Sequence, residues 1–158
     1  MIRVQFSARS DLGSLAIKTF ERGVWSHVDA IMPDGNLLGA RSDVVGEKPA
    51  GVQIRPPNYV AFDKVQAYGL PCSATQEIAF YTFLRGQVGK PYDEKAIVAF
   101  GLGRDWHNPD EWFCSELITA AVEASGFFPF PISEGFNFIT PRDCELLISP
   151  WAQRLSSP

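Results

Sequence analysis

The chain has few histidines and cysteines, the side chains most used in proton, redox and metal chemistry near neutral pH. Its 158 residues include two histidines, His27 and His107, and three cysteines, Cys72, Cys114 and Cys144. The cysteines form no CxxC pair, and an odd number cannot close a complete disulfide set, which points to a reducing compartment. Cys114, His27, His107 and Asp29 carry atoms that bind zinc, but no CxxC or HxxxH spacing joins them, so neither a metal nor another cofactor is expected. No stretch approaches the roughly 18 apolar residues of a membrane span. The start, "MIRVQFSARSDLGSLAIKTF", lacks the charged beginning, apolar run and small-residue cleavage site of a signal peptide. A cytoplasmic location is therefore expected, with export by another route left open. The net charge is −4 and no basic block stands out, which argues against a nucleic-acid partner. Repeats and low-complexity tracts are lacking too.

What is present is the composition of a folded globular protein: 46% hydrophobic, 13% aromatic and 20% charged. The length suits one domain, residues 1–158, with a single core. "IRVQFS" alternates apolar and polar residues and reads as a strand. A short helix follows, capped by Ser10 or Asp11, with Leu12, Leu15, Ala16 and Phe20 at helical spacing and Gly23 at its end. "VWSHVDAIM" and "NLLGARS" read as a hairpin around the turn "PDG". "GVQIRP" and "KVQAYGL" are two further strands separated by a Pro-Pro loop. From Ala74 the period becomes helical. "ATQEIAFYTFLRGQV" carries Ile78, Phe80, Tyr81 and Leu84 on one stripe, with Gly89 as its stop. "DEKAIVAFGLG" and "WFCSELITAAVEAS" give two more helices, the latter with Leu117, Ile118, Ala121 and Val122 as its apolar face and Gly126 as terminator. "GFFPFPISEGFNF" is an aromatic loop, either ordinary core or the border of an apolar groove. "TPRDCELLIS" opens a last helix with Thr140 as cap and Pro141 at its first position. Strands first and helices after predict an α+β domain, an antiparallel sheet packed against helices.

The stretch "WFCSELITAAVEAS" raises the chemical question. A cysteine at a helix N-terminus has its thiolate stabilised by unsatisfied amides and the macrodipole. "NPDE" at 108–111 is also a good helix start, with Asn108 as cap and Pro109 in first position. A helix running unbroken from there would bury Cys114 in its second turn as inert packing. The residues leave both readings standing. A nucleophilic cysteine needs a base. His27 lies in a strand with Asp29 on the same face, and a strand-borne imidazole facing a helix N-terminus holds a thiolate–imidazolium pair rigidly. Its plain alternative is a partly buried histidine bonded to a backbone carbonyl. His107 lies in the polar loop "RDWHNPD" and is the weaker candidate base. In "GQVGKPYD", Tyr92 either follows a simple Pro turn or stands fixed beside the active site, its hydroxyl offered to an oxyanion or carbonyl.

Taken together, "WSHVDAI", "PDGNLLGAR", "GQVGKPYD", "WFCSELI" and "FITPRDCELL" resemble the circularly permuted branch of the NlpC-type, papain-like cysteine peptidase superfamily. YiiX-like proteins and the lecithin:retinol acyltransferase relatives belong to that branch. The resemblance spans roughly Gly23 to Leu147, with histidine before cysteine as in the permuted order. It implies a papain-like fold, Cys114 as nucleophile, His27 as base, Tyr92 near the oxyanion, and a helix that begins close to Cys114. Relatives often place a glutamate or histidine on the next strand to orient the imidazole. Here Gly39 occupies that position, which leaves Asp29, ~6–7 Å along the same strand by strand geometry, or Asp43 to supply the role.

These readings lead to a thiol hydrolase or acyltransferase acting on an amide or ester, with a cell-wall peptide or a lipid or acyl group as substrate. The alternative is a binding or assembly protein that keeps the fold without the catalysis.

Overall fold

The structure, a computed structural model, describes residues 1–9, 23–93, 110–132, 135 and 139–156. The helix read over Leu12–Phe20, the helix read in "DEKAIVAFGLG", the start at Asn108–Pro109 and His107 all lie outside the described residues. Among those described, the strands are β1 (Ile2–Ala8), β2 (His27–Ile31), β3 (Leu37–Arg41), β4 (Gly51–Arg55), β5 (Lys64–Leu70) and β6 (Gln153–Leu155). The helices are α1 (Ala74–Gly86), α2 (Cys114–Ala124) and α3 (Pro141–Ile148), the last followed by a 3-10 turn at Ser149–Trp151. The strands form one sheet in the order β4-β3-β2-β1-β5-β6, every adjacent pair antiparallel. The architecture is α+β.

Pairing register sorts the side chains into two rows, because directly opposed residues share a face. Val4 faces Ala30 and Tyr68, Phe6 faces Val28, Ala30 faces Leu38, and Ala40 faces Val52. That apolar row joins Phe80 and Leu84 of α1, Leu117, Ile118, Ala121 and Val122 of α2, and Cys144 and Ile148 of α3 in one core. The alternate row is polar, and much of it is buried all the same: Gln5, Ser7, His27, Asp29 and Arg55. A sheet that buries polar side chains on one face must satisfy them, and this demand shapes the site.

The hairpin between β2 and β3 closes as the sequence reads. Gly35 takes a positive φ of 87°, the Met32 amide donates to the Asn36 carbonyl at 2.8 Å, and the Asp34 carboxylate accepts from the Asn36 amide at 3.0 Å. Two expectations need correcting. Ile78 is 66% exposed instead of part of the buried stripe, because it sits about 200° round the helix from Phe80. β6 is an edge strand of three residues that the sequence did not reveal, being too short to show a period. The aromatic loop is split in its fate. Phe128 is buried in the core, while Phe130 is exposed and borders, with Pro129, Pro131 and Glu123, an open groove of ≈ 530 Å³.

Candidate functional site

Residues 110–113 are not helical. The Trp112 amide donates to the Pro91 carbonyl and the Asp93 amide to the Trp112 carbonyl, both at 3.1 Å, which pairs Tyr92 with Trp112 as a parallel bridge. The same segment is tied to β4, where the Val52 amide donates to the Lys90 carbonyl and the Gly89 amide to the Val52 carbonyl, each at 2.9 Å. This clasp holds Phe113 extended (φ −87°, ψ 156°), and α2 begins at Cys114. Of the two helix starts the sequence allowed, the one at the cysteine is observed.

Cys114 is thus the first residue of α2, where first-turn amides have no acceptor within the helix and the dipole favours negative charge. The turn is tightly determined. The Phe113 amide donates to Glu116 Oε2 at 3.1 Å, the Leu117 amide to the Phe113 carbonyl at 3.0 Å, and the Ser115 hydroxyl to the Ile139 carbonyl at 2.6 Å. Cys114 itself is a thiol, 1% exposed. Cys72 and Cys144 are thiols as well, and burial pushes the Cys144 thiol up to about 12.

The Tyr92 ring lies 5.7 Å from that of Phe113, centroid to centroid. Burial, and then the neighbouring Cys114 sulfur, raise the Tyr92 hydroxyl well above the usual phenol range. Tyr92 therefore remains a protonated hydrogen-bond donor beside Cys114 at any physiological pH. These two predicted site residues are brought together.

His27 opens β2 and is brought together with Asp29. Its Nε2 is 2.9 Å from Asp29 Oδ1, an ion-pair approach that lies off the line of an aligned hydrogen bond. The two α-carbons are separated as along any strand, but the side chains lean towards each other and close that gap. Burial pushes the Asp29 carboxyl up, yet His27, Arg41 and Arg55 outweigh it and hold the group below the ordinary carboxylate range.

Gly39 explains how that carboxylate fits. The β2–β3 register, continued from Ala30 opposite Leu38, sets Gly39 opposite Asp29. A Cβ on Gly39 would lie 1.9 Å from Asp29 Oδ1. The space of the missing side chain on β3 is filled by a carboxylate from β2. Asp43, the other candidate, is bound instead to Arg41, with Nε–Oδ1 at 2.6 Å and Nη2–Oδ2 at 2.8 Å.

The strand ends show which groups share an end of the sheet. β2 starts at His27, β3 ends at Arg41 and β4 starts at Gly51, so all three lie at one end of the antiparallel sheet. The Lys90 carbonyl lies against Gly51, 2.3 Å from where a Cβ would stand, and the clasp carries the chain on from there to Cys114. α2 packs on both β2 and β3. The sequence reading passed over Arg41, which ends β3 here, and Arg55, which stands at the far end of β4 and sends its guanidinium back to the Gly39 and Gly51 carbonyls. Their signal was present as charged residues placed on strands whose other face is apolar. Among the described residues no three His, Cys, Asp or Glu side chains converge as a metal-ligand set.

No family model matches the sequence, and no curated protein does. Among solved structures, the fold is similar to that of metalloprotein yiiX from Escherichia coli O157:H7 (DUF1105), with a TM-score of 0.56 and 17% identity over 99% of this chain and 88% of that one. At that identity the likeness is one of fold, and the chain has a YiiX-like α+β fold.

Proposed function

We propose that this protein is a thiol hydrolase of the permuted NlpC-type, papain-like kind, with one domain over residues 1–158, working in the reducing compartment that its three thiols suit. The observation that carries the reading is the start of α2 at Cys114, with the protonated Tyr92 beside it. In this mechanism the Cys114 thiolate attacks the carbonyl carbon of an amide or ester, and the C–S bond forms as the carbonyl π pair moves onto oxygen. The Cys114 amide and the Tyr92 hydroxyl receive the oxyanion; the Phe113 amide is already taken by Glu116. The His27 imidazolium gives its proton to the departing amine or alcohol as the C–N or C–O bond breaks. His27 then accepts a proton from water, whose oxygen displaces the sulfur and releases the acid. Asp29 supports the imidazolium from β2, the role that relatives give to the strand position held here by Gly39. His27 occupies the row opposite Val28 and Ala30, so this mechanism requires the imidazole to reach the thiol round the end of the sheet and not through its apolar face. The substrate is a cell-wall peptide or a lipid or acyl amide or ester.

A second reading, a binding protein that retains the fold, is favoured by burial: Cys114 is 1% exposed and His27 8%. The pH profile of site-resolved alkylation by a small reagent, on the wild type, His27→Ala and Cys114→Ser, separates the two. A thiolate–imidazolium pair labels at a pH well below ~8.5, the ordinary thiol value, and loses that advantage in His27→Ala. If Cys114 labels only where ordinary thiols do, and His27→Ala changes nothing, the hydrolase reading is lost.

A further inference from the structure

Behind His27 and Asp29 lies a residue that neither the motif pattern nor the proposed mechanism uses. Tyr59 belongs to the Pro-Pro loop between β4 and β5, where its amide donates to the Pro56 carbonyl at 3.1 Å. The side chain is placed with unusual completeness for a loop residue. Its hydroxyl donates to Asp29 Oδ2 at 3.1 Å and accepts from Arg41 Nη1 at 3.2 Å. The Arg41 and Arg55 guanidinium carbons lie 5.3 Å and 5.7 Å from the ring centroid, and Phe62 meets the ring edge-on at 5.5 Å. Each guanidinium is itself anchored. Arg41 is bound to Asp43, and Arg55, 2% exposed, donates to the Gly39 carbonyl at 3.1 Å and the Gly51 carbonyl at 3.2 Å. The two oxygens of Asp29 thus have different duties. Oδ1 faces His27 and Oδ2 is held by Tyr59.

We propose that Tyr59 is the positioning residue of the site, its hydroxyl fixing the Asp29 carboxylate so that the other oxygen stays against His27. The role in catalysis rests on the reading of His27 as the base, while the hold on Asp29 does not. A carboxylate opposite a glycine has no Cβ on the facing strand to stop its rotation, and the Tyr59 hydroxyl supplies that stop from the loop. Among the described residues, the charged groups that face Asp29 are His27 on its own strand, Arg41 on β3 with Asp43 behind it, and Arg55 on β4. Burial and then the Asp29 charge raise the Tyr59 hydroxyl above the usual phenol range, so it stays a donor.

The test is a titration of the Asp29 carboxyl by carbon-13 NMR in the full chain, run beside Cys114 alkylation, on the wild type, Tyr59→Phe, Asp29→Asn and the double variant. Phe keeps the ring against the two guanidinium groups and removes only the hydroxyl. A donor to a carboxylate favours its charged form, so Tyr59→Phe raises the Asp29 midpoint. It also slows Cys114 alkylation about 3- to 10-fold, the worth of one hydrogen bond, and slows it no further when Asp29→Asn is already present. An Asp29 midpoint that does not rise, or additive slowing in the double variant, overturns the proposal. If wild-type Cys114 shows no advantage over an ordinary thiol, it is the hydrolase reading that fails, and the Asp29 midpoint still decides whether Tyr59 holds the carboxylate.

Discussion

Gly39 is a residue whose meaning depends on its neighbour across the sheet. Taken alone it looks like a lost orienting group; with Asp29 opposite, it is the space that a carboxylate from the adjacent strand occupies. Gly39→Ala sets a Cβ 1.9 Å from Asp29 Oδ1, and overfilling a packed site costs about 1–3 kcal/mol. A lowered Tm is expected, with most of the loss recovered when Asp29→Ala is added; equal losses in both backgrounds would show that the carboxylate is not what fills the space. Asp29 also carries a pH dependence. Its carboxyl is held below the ordinary range in the folded chain, so between the folded midpoint and the unfolded value of about 3.9 the unfolded chain binds the proton and the folded one does not. Its contribution is complete above the unfolded value and is lost as pH falls through the folded midpoint. Asp34 and Asp43 are lowered too and act in the same direction. Thermal melts should show Tm falling as pH drops below about 4, and a shallower fall in Asp29→Asn. Two parallel curves would remove Asp29 from the account. Cys114, His27, Tyr92 and Asp29 were legible as residue types in order along the chain. The closeness of His27 and Asp29 was not, because it depends on rotamers, and Tyr59, Arg41 and Arg55 were hidden because their partners are fixed only by strand register.

For the elements, legibility followed the range of the deciding contact. α3 shows its start in four letters. The Thr140 hydroxyl accepts from the Asp143 amide at 3.2 Å and the Asp143 carboxylate accepts from the Thr140 amide at 3.2 Å, with Pro141 in first position. Thr140→Ala is expected to cost ~1 kcal/mol in a chemical denaturation curve, with an unchanged slope. An unaltered midpoint would mean that packing alone sets this helix start. The start of α2 could not be read the same way. "NPDE" and "FCSE" compete on local grounds, and the clasp between Pro91–Asp93 and Trp112 decides between them, a contact across some twenty residues of chain that no local pattern reports.

Over the whole molecule, the class was visible in the order of strands and helices, but the sheet order was not. β1 lies between β2 and β5, and β5 receives the distant β6, pairings that join segments far apart in sequence. The three thiols report on the resulting layers. Cys144 is fully buried in the core, while Cys72 is only partly covered. In the native protein Cys144 should alkylate more than about a thousand-fold slower than in urea, since it is reached through global opening of a domain stable by ~5 kcal/mol or more. Labelling of Cys144 at the rate of Cys72 would contradict the packing of α3.

The return of β6 to β5, together with the seating of α2 on β2 and β3, has a consequence for divisibility. The imidazole, its carboxylate and the tyrosines belong to residues 1–93, and the thiol belongs to residues 110–158. Among the described residues, the contacts between these portions include a strand pairing, a bridge and a shared core, which join them through space. Produced as separate fragments, the two should reassemble on mixing, and the low-pH advantage of Cys114 alkylation then becomes a reporter of complementation, lacking in the isolated 110–158 fragment, where the thiol reacts as an ordinary one, and restored in the pair.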